Sequence, residues 1–221
     1  MSETQARLDV FSDAICPWCY IGKRQLDAAR AMLAREGLHF AVTWRPFQLN
    51  PDMPPEGVVR DTYRLAKFGS LARSRELDAQ VAEAAAKVGL TIRHDRMART
   101  PNTLAAHRLA WRAAQDGRQD AVIEALFAAY FAEGRDIGDR AVLAEIGDAC
   151  GIADAARFLV SDEGRAEVLS EDAAARGAGL SGVPTFALER HVLFSGAVPA
   201  ETMAEALREA HRILCGTPAA A

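Results

Sequence analysis

The sequence predicts an α/β fold interrupted by a large all-helical insertion, and three features of the 221 residues carry that reading. A strand, loop and helix followed by a second strand open the chain, an alanine-rich stretch punctuated by glycines fills the middle, and a hairpin with a final amphipathic helix closes it. Apolar residues recur with a period of about two in the outer strands and about 3.6 in the inner segments.

Taken in order, Arg7-Leu8-Asp9-Val10-Phe11-Ser12 alternates polar with apolar and reads as a short strand. From Trp18 onward Ile21, Leu26, Ala29, Met32 and Leu33 fall near helical spacing, and Gly37 is placed to cap the helix end. His39 to Leu49, rich in aromatic and β-branched residues, reads as a second strand, closed by Asn50-Pro51 and Pro54-Pro55. Between about Val58 and Ala178 six or seven helices and no strand are expected, with Gly69, Gly89, Gly117, Gly134, Gly151 and Gly177 as C-terminal caps. Thr100-Pro101 reads as an N-cap with proline at the first helical position, and Asp139 as the cap of the segment holding Val142, Leu143 and Ile146. Pro184 to Leu188, a turn at Glu189-Arg190, and His191 to Phe194 form a hairpin signal. Pro199 to Leu214 is amphipathic, with Met203, Leu207, His211 and Leu214 on one side, and the GTPAAA tail is expected to be loose. The resulting division is 1–57, 58–178 and 179–221, the helical insertion lying in the middle span.

Composition removes several function classes. Lys and Arg (26) are outnumbered by Asp and Glu (30), for a formal net charge of -4, so no basic stripe is available for nucleic acid or an anionic membrane. No apolar run approaches the roughly 18 to 20 residues of a membrane span. The opening MSETQARLDVFSDA has neither a basic region nor a long apolar core of a leader, which favours an unprocessed, cytoplasmic chain. A cytosol keeps ordinary thiols reduced, so a cysteine pair that matters there is catalytic or regulatory.

Such a pair stands in Cys16-Pro17-Trp18-Cys19. A zinc site wants four ligands; Cys150 and Cys215 are single, and His39, His94, His107, His191 and His211 form no ligand-spaced pair, so no metal is expected. An inert buried pair is the plain alternative, but the cysteines lie where a strand hands over to a helix. That places Cys16 near the N-cap, Pro17 at the first helical position and Cys19 in the first turn. Orphan N–H groups and the positive end of the helix dipole then favour a thiolate at Cys16, while Cys19, one turn on, is placed to resolve a mixed disulfide. Pro17 and Trp18 are uncharged and tune the pair; Trp18 either meets substrate or packs on the helical block.

CPWCYIGKR at Cys16 to Arg24 and SGVPTFAL at Ser181 to Leu188 together resemble the DsbA-like family of thioredoxin-fold oxidoreductases, most closely its FrnE-type branch. TWRPFQLNP from Thr43, TPNTLAAHRL from Thr100 and LFAAYFAEGRDIGD from Leu126 extend the resemblance over nearly the whole chain. It implies a thioredoxin fold with a large all-helical insertion, 1–57 and 179–221 supplying its two parts. It also implies a cis bond before Pro184, with Val183, Pro184 and Thr185 beside the cysteines as a substrate-binding segment. The implied activity is protein disulfide oxidoreduction on a protein or small-molecule disulfide or thiol. No cofactor is required, and glutathione is an eligible exchange partner.

The same resemblance raises a rival, since kappa-class glutathione transferases and 2-hydroxychromene-2-carboxylate isomerases share the architecture but typically carry serine in place of Cys16 and lack the second cysteine. A redox-inactive binding or chaperone module is the third reading. His107 reads as packed or as facing the site from the helical block, Asp13 as a proton-transfer aid or a turn cap, and Cys150 and Cys215 as bystanders. Monomer and homodimer are both compatible with the sequence.

Overall fold

A computed structural model describes residues 5–216. The strand β1 (Ala6–Ser12) leads through a turn into α1 (Pro17–Ala34) and back to β2 (Phe40–Pro46), which pairs parallel to β1. At the other end of the chain β5 (Thr185–Leu188) pairs antiparallel to β1, and β6 (His191–Ser195) pairs antiparallel to β5. The sheet order β2-β1-β5-β6 thus joins the two ends of the sequence, and α9 (Ala200–Leu214) packs beside α1. The hairpin turn puts Glu189 and Arg190 at φ 47° and 70°, the paired positive values of a tight two-residue turn. A hydrogen bond from Arg7 N to Glu189 Oε1 (2.6 Å) ties that turn to β1.

Between β2 and β5 run seven α-helices: α2 (Arg60–Phe68), α3 (Leu71–Ala86), α4 (Leu104–Gln115), α5 (Gln119–Phe127), α6 (Arg140–Ala149), α7 (Ala155–Val160) and α8 (Arg165–Gly177). A π-helical turn, Ala128–Glu133, extends α5. Three local expectations fail. A two-residue ladder, β3 (Val58–Val59) with β4 (Arg99–Thr100), lies inside the helical span because the chain crosses itself there. Thr100 is therefore a strand residue, and α4 starts only at Leu104, where Asn102 Oδ1 accepts the Leu104 N–H (2.9 Å). Gly177 is the last residue of α8, and the left-handed position falls on Gly179 instead. Asp139 caps α6 as expected, accepting from Ala141 N at 2.7 Å. Of the GTPAAA tail, 217–221 lie outside the described residues.

The helical block and the sheet share one apolar core. Leu8 and Val10 of β1, Leu26 and Leu33 of α1, and Leu109, Leu126 and Phe127 of the block belong to the same buried cluster. α5 supplies the clasp that positions α1. Tyr20 stacks on Phe127 (centroids 5.0 Å) and Phe131 (5.9 Å), each such pair adding about 0.5–1.5 kcal/mol beyond area burial. Below it the Lys23 side chain, 4% exposed, reaches Asp27 (3.1 Å), Asp120 (3.2 Å) and Glu124 (3.4 Å). Arg24 Nη1 donates to Glu124 Oε2 at 2.7 Å. Burial pulls Lys23 down, but the surrounding carboxylates outweigh it and hold its ammonium above the ordinary value. Burial likewise pushes Glu124 up, and Arg24 and Lys23 more than cancel it, leaving Glu124 below its ordinary value.

A lowered carboxylate contributes stability that is present above its unfolded value and lost as pH falls through its native one. Glu124→Gln is expected to cost about 1–2 kcal/mol at neutral pH, after discounting for partial solvent exposure. The gap to wild type should close on acidification below about pH 4.5, where protonation removes the same charge. Urea unfolding at neutral and acid pH measures both.

Candidate redox site at the start of α1

β1 ends at Ser12, and a turn closed by Cys16 N donating to Asp13 O (3.0 Å) carries the chain into α1. Cys16 is the N-cap in extended conformation (φ -91°, ψ 111°) and Pro17 follows at the first helical position. The Cys16 carbonyl accepts from Cys19 N (3.0 Å) and Tyr20 N (3.3 Å), which fixes the two cysteines one turn apart. No acidic residue stands in the first turn to offset the positive end of the helix dipole.

The two thiols, both free, meet different surroundings. Cys16 lines a cleft of about 370 Å³, with Pro17, Trp18 and Val183 beside it. Its Sγ lies 3.6 Å from the Val183 carbonyl oxygen, to which the thiol donates. Cys19 is fully buried and is absent from the cleft wall. Burial, then the neighbouring Cys16 sulfur, push the Cys19 thiol well above its ordinary value; the Ser12 hydroxyl and the Asp13 backbone N–H pull the other way and are outweighed.

The segment opposite is built on the start of β5. The Val183–Pro184 bond is cis, and Pro184 is buried. Its ring fits over Gly22 of α1, where an added Cβ would stand 3.0 Å from Pro184 Cγ and 3.6 Å from Phe186 Cζ. Thr185 is buried and does not reach the cleft; its Oγ1 donates to Gly182 O (2.9 Å) and meets Ser195 Oγ (2.6 Å), so it shapes the turn that presents Val183. The far wall of the cleft comes from the helical block. Arg60 and Arg64 of α2 share one carboxylate, Asp78 of α3, at 2.8 and 2.5 Å, and Lys67, Tyr63 and His94 stand nearby. Two guanidiniums and an ammonium against one carboxylate leave that wall positive. Trp18, 42% exposed, lines the cleft beside Cys16.

A profile of the DSBA-like thioredoxin domain matches residues 7–208. The chain belongs to that family. A probable DsbA oxidoreductase from Streptomyces coelicolor is 30% identical, with 98% of this chain and 94% of that one superposed at a TM-score of 0.86. The cytosolic disulfide reductase DsbM from Pseudomonas aeruginosa, solved with GSH, is 23% identical over 91% and 99% of the two chains (TM-score 0.64). A 2-hydroxychromene-2-carboxylate isomerase is 15% identical over 95% and 98% (TM-score 0.71). The last two likenesses are of fold.

Within this DSBA-like domain, the sequence-predicted residues Cys16, Pro17, Trp18 and Val183 meet in one cleft, with Pro184 directly behind Val183 and Thr185 farther back. Asp13 and His107 also meet, Oδ1 to Nε2 at 3.3 Å, both buried. Cys150 and Cys215 stand at the C-terminal ends of α6 and α9, outside the cleft. Gly22 and the Arg60, Arg64, Asp78 cluster were not singled out from sequence. The only sign of Gly22 was a glycine inside a helical pattern, which costs about 1 kcal/mol and so implies a packing reason. Gly22→Val is expected to destabilise the DSBA-like domain by about 1–3 kcal/mol through overpacking against Pro184. Gly177→Val, where an added Cβ meets nothing within 4 Å, should stay close to wild type in the same urea titration.

Proposed function

We propose that the chain is a thiol–disulfide oxidoreductase in which Cys16 attacks a substrate disulfide and Cys19 resolves the mixed disulfide. The asymmetry of the two thiols carries this reading: Cys16, 4% exposed, lines the cleft at a helix N-terminus, whereas Cys19 has no exposed surface, is absent from the cleft wall and has its thiol raised well above the ordinary value by burial. Attack by the Cys16 thiolate forms a Cys16–S–S–R bond and expels RS⁻. The Cys19 sulfur then displaces the second R sulfur, and the Cys16–Cys19 disulfide holds the two electrons' worth of oxidation taken from the substrate. Trp18 and the Val183 backbone form the surface beside the reacting sulfur on which the substrate lies. Run in reverse, the same steps oxidise a dithiol.

Cys19→Ser is expected to stop turnover after the first exchange and accumulate a mixed disulfide on Cys16, seen as a mass increase removed by reductant. Cys16→Ser should form no adduct at that site. A Cys19→Ser protein that still turns over a disulfide at the wild-type rate would overturn the mechanism.

The positive wall favours a second reading, a small acidic thiol as the usual occupant of the cleft. Glutathione fits that description, and it is the ligand named with the DsbM fold relative. A glutathione-dependent isomerase or transferase would keep its turnover in Cys19→Ser. Within the oxidoreductase reading, loss of one charged contact is worth about 1.4 kcal/mol, or tenfold. Arg64→Met is thus expected to raise KM for glutathione disulfide about tenfold and to leave an uncharged disulfide such as hydroxyethyl disulfide nearly unaffected.

A further inference from the structure

A pocket of about 330 Å³ opens in the helical block and shares no residue with the cleft at Cys16. Arg108 of α4, Arg140 at the start of α6 and Arg165 at the start of α8 stand in its wall, and no acidic residue does. The three come from separate stretches of the chain, so packing alone gathers their charge. None of them forms an ion pair among the described residues. Arg108 is 4% exposed, and a guanidinium cannot shed its charge to suit burial. Its Nε donates to Glu163 O (2.8 Å) and its Nη2 to Ser161 O (2.7 Å) and Phe158 O (3.3 Å), which leaves Nη1 without a protein partner among the described residues. Carbonyl dipoles thus orient this buried cation without neutralising it. Burial holds Arg108 below its ordinary value; Asp162 and Glu163 oppose that, and Arg140 and Arg165 add to it.

Backbone donors converge on the same place. α4 begins at this wall with Leu104 and Ala105, has no acidic residue in its first turn, and its Thr103 N-cap side chain accepts no hydrogen bond. Asn102 Oδ1 takes the Leu104 N–H (2.9 Å), and the N–H groups of Ala105 and Ala106 have no intrahelical partner. We propose that this pocket binds the phosphate group of a small organic phosphate ester. Guanidinium forks and helix N-terminal N–H groups both match the tetrahedral oxyanion, and a dianion supplies the charge that Arg108, Arg140 and Arg165 lack. Pro55, Leu104 and Ala105 form an apolar side of the wall, against which the organic part of the ester rests. The site does not depend on the oxidoreductase reading.

The test titrates the full chain with phenyl phosphate, inorganic phosphate and phenol by calorimetry, and follows the amide signals of Ala105 and Ala106 by NMR. Phenyl phosphate is expected to bind at one equivalent and more tightly than inorganic phosphate, with both amide signals moving, and phenol should not bind. Arg140→Met and Arg165→Met leave the carbonyl bonds of Arg108 in place, and each should weaken phenyl phosphate binding about tenfold. Arg64→Met, in the redox cleft, should bind it as wild type does. Equal affinities for the two phosphates would overturn the ester as the ligand. Absence of saturable binding at millimolar concentration, unchanged binding in the Arg140→Met, Arg165→Met double variant, or binding abolished by Arg64→Met would overturn the site itself.

Discussion

The docking of the first two turns of α1 against α5 is the interaction on which the rest of the molecule depends. A cysteine pair at a helix N-terminus works only if the helix end is held at a fixed place relative to the segment before β5. Here the hold is made from the inserted helices and not from the sheet alone. Tyr20 stacks into the aromatic pair Phe127 and Phe131, and Lys23 and Arg24 converge on the carboxylates of α5. The same α5 grips the outer strand of the sheet. Gln119 accepts from Trp44 N and donates to Trp44 O, both at 2.9 Å, and Asp120 accepts from Trp44 Nε1 at 3.0 Å. The unpaired edge of β2 is thereby covered, which removes a template for strand addition. A buried lysine is expensive unless its charge is matched, and three carboxylates match it.

That docking gives the cysteine pair two faces of different character. In front, Cys16 meets a cleft with an exposed tryptophan at its edge and a wall of arginines whose charge one aspartate only partly offsets. Cys19 is sealed from that cleft, and a second cavity of about 530 Å³ lies between β2 and the helices α4 and α5, with Ser12 and His107 in its wall. The charges at the front favour anions, while the back cavity carries the Arg45–Glu171 ion pair and His107. The insertion builds the far wall of both cavities, with α2 and α3 at the front and α4 and α5 at the back. It therefore belongs to the site as much as the sheet does.

Several parts of this arrangement were legible in the residues themselves. The alternation of Arg7 to Ser12, the position of Pro17 and the aromatic run into Pro46 specify strand, helix start and strand, because each depends on neighbours a few residues away. The Glu189-Arg190 turn was equally plain between two apolar runs. The misreadings were local signals overruled by distant ones. Thr100-Pro101 has the chemistry of a helix start, yet pairing with Val58 holds Thr100 in a ladder and delays the helix to Leu104. Gly177 looks like a cap, but the helix continues through it and Gly179 takes the positive φ. Thr185, which the family resemblance sets in the same segment as Val183, is buried in β5, where its hydroxyl meets Gly182 and Ser195.

By itself the sequence determined the kinds of element, their order, and the placing of two thiols one helical turn apart at the end of a strand, since all of these follow from local periodicity and steric preference. Only the tertiary structure decided which thiol lines the cleft, that Pro184 rests on Gly22, that Asp13 meets His107, and that Arg60 and Arg64 line the same cleft as Cys16. Those pairings join residues far apart along the chain. No local preference encodes them, and they exist because packing the inserted helices on the sheet leaves one arrangement in which the apolar surfaces are covered and Lys23 is matched.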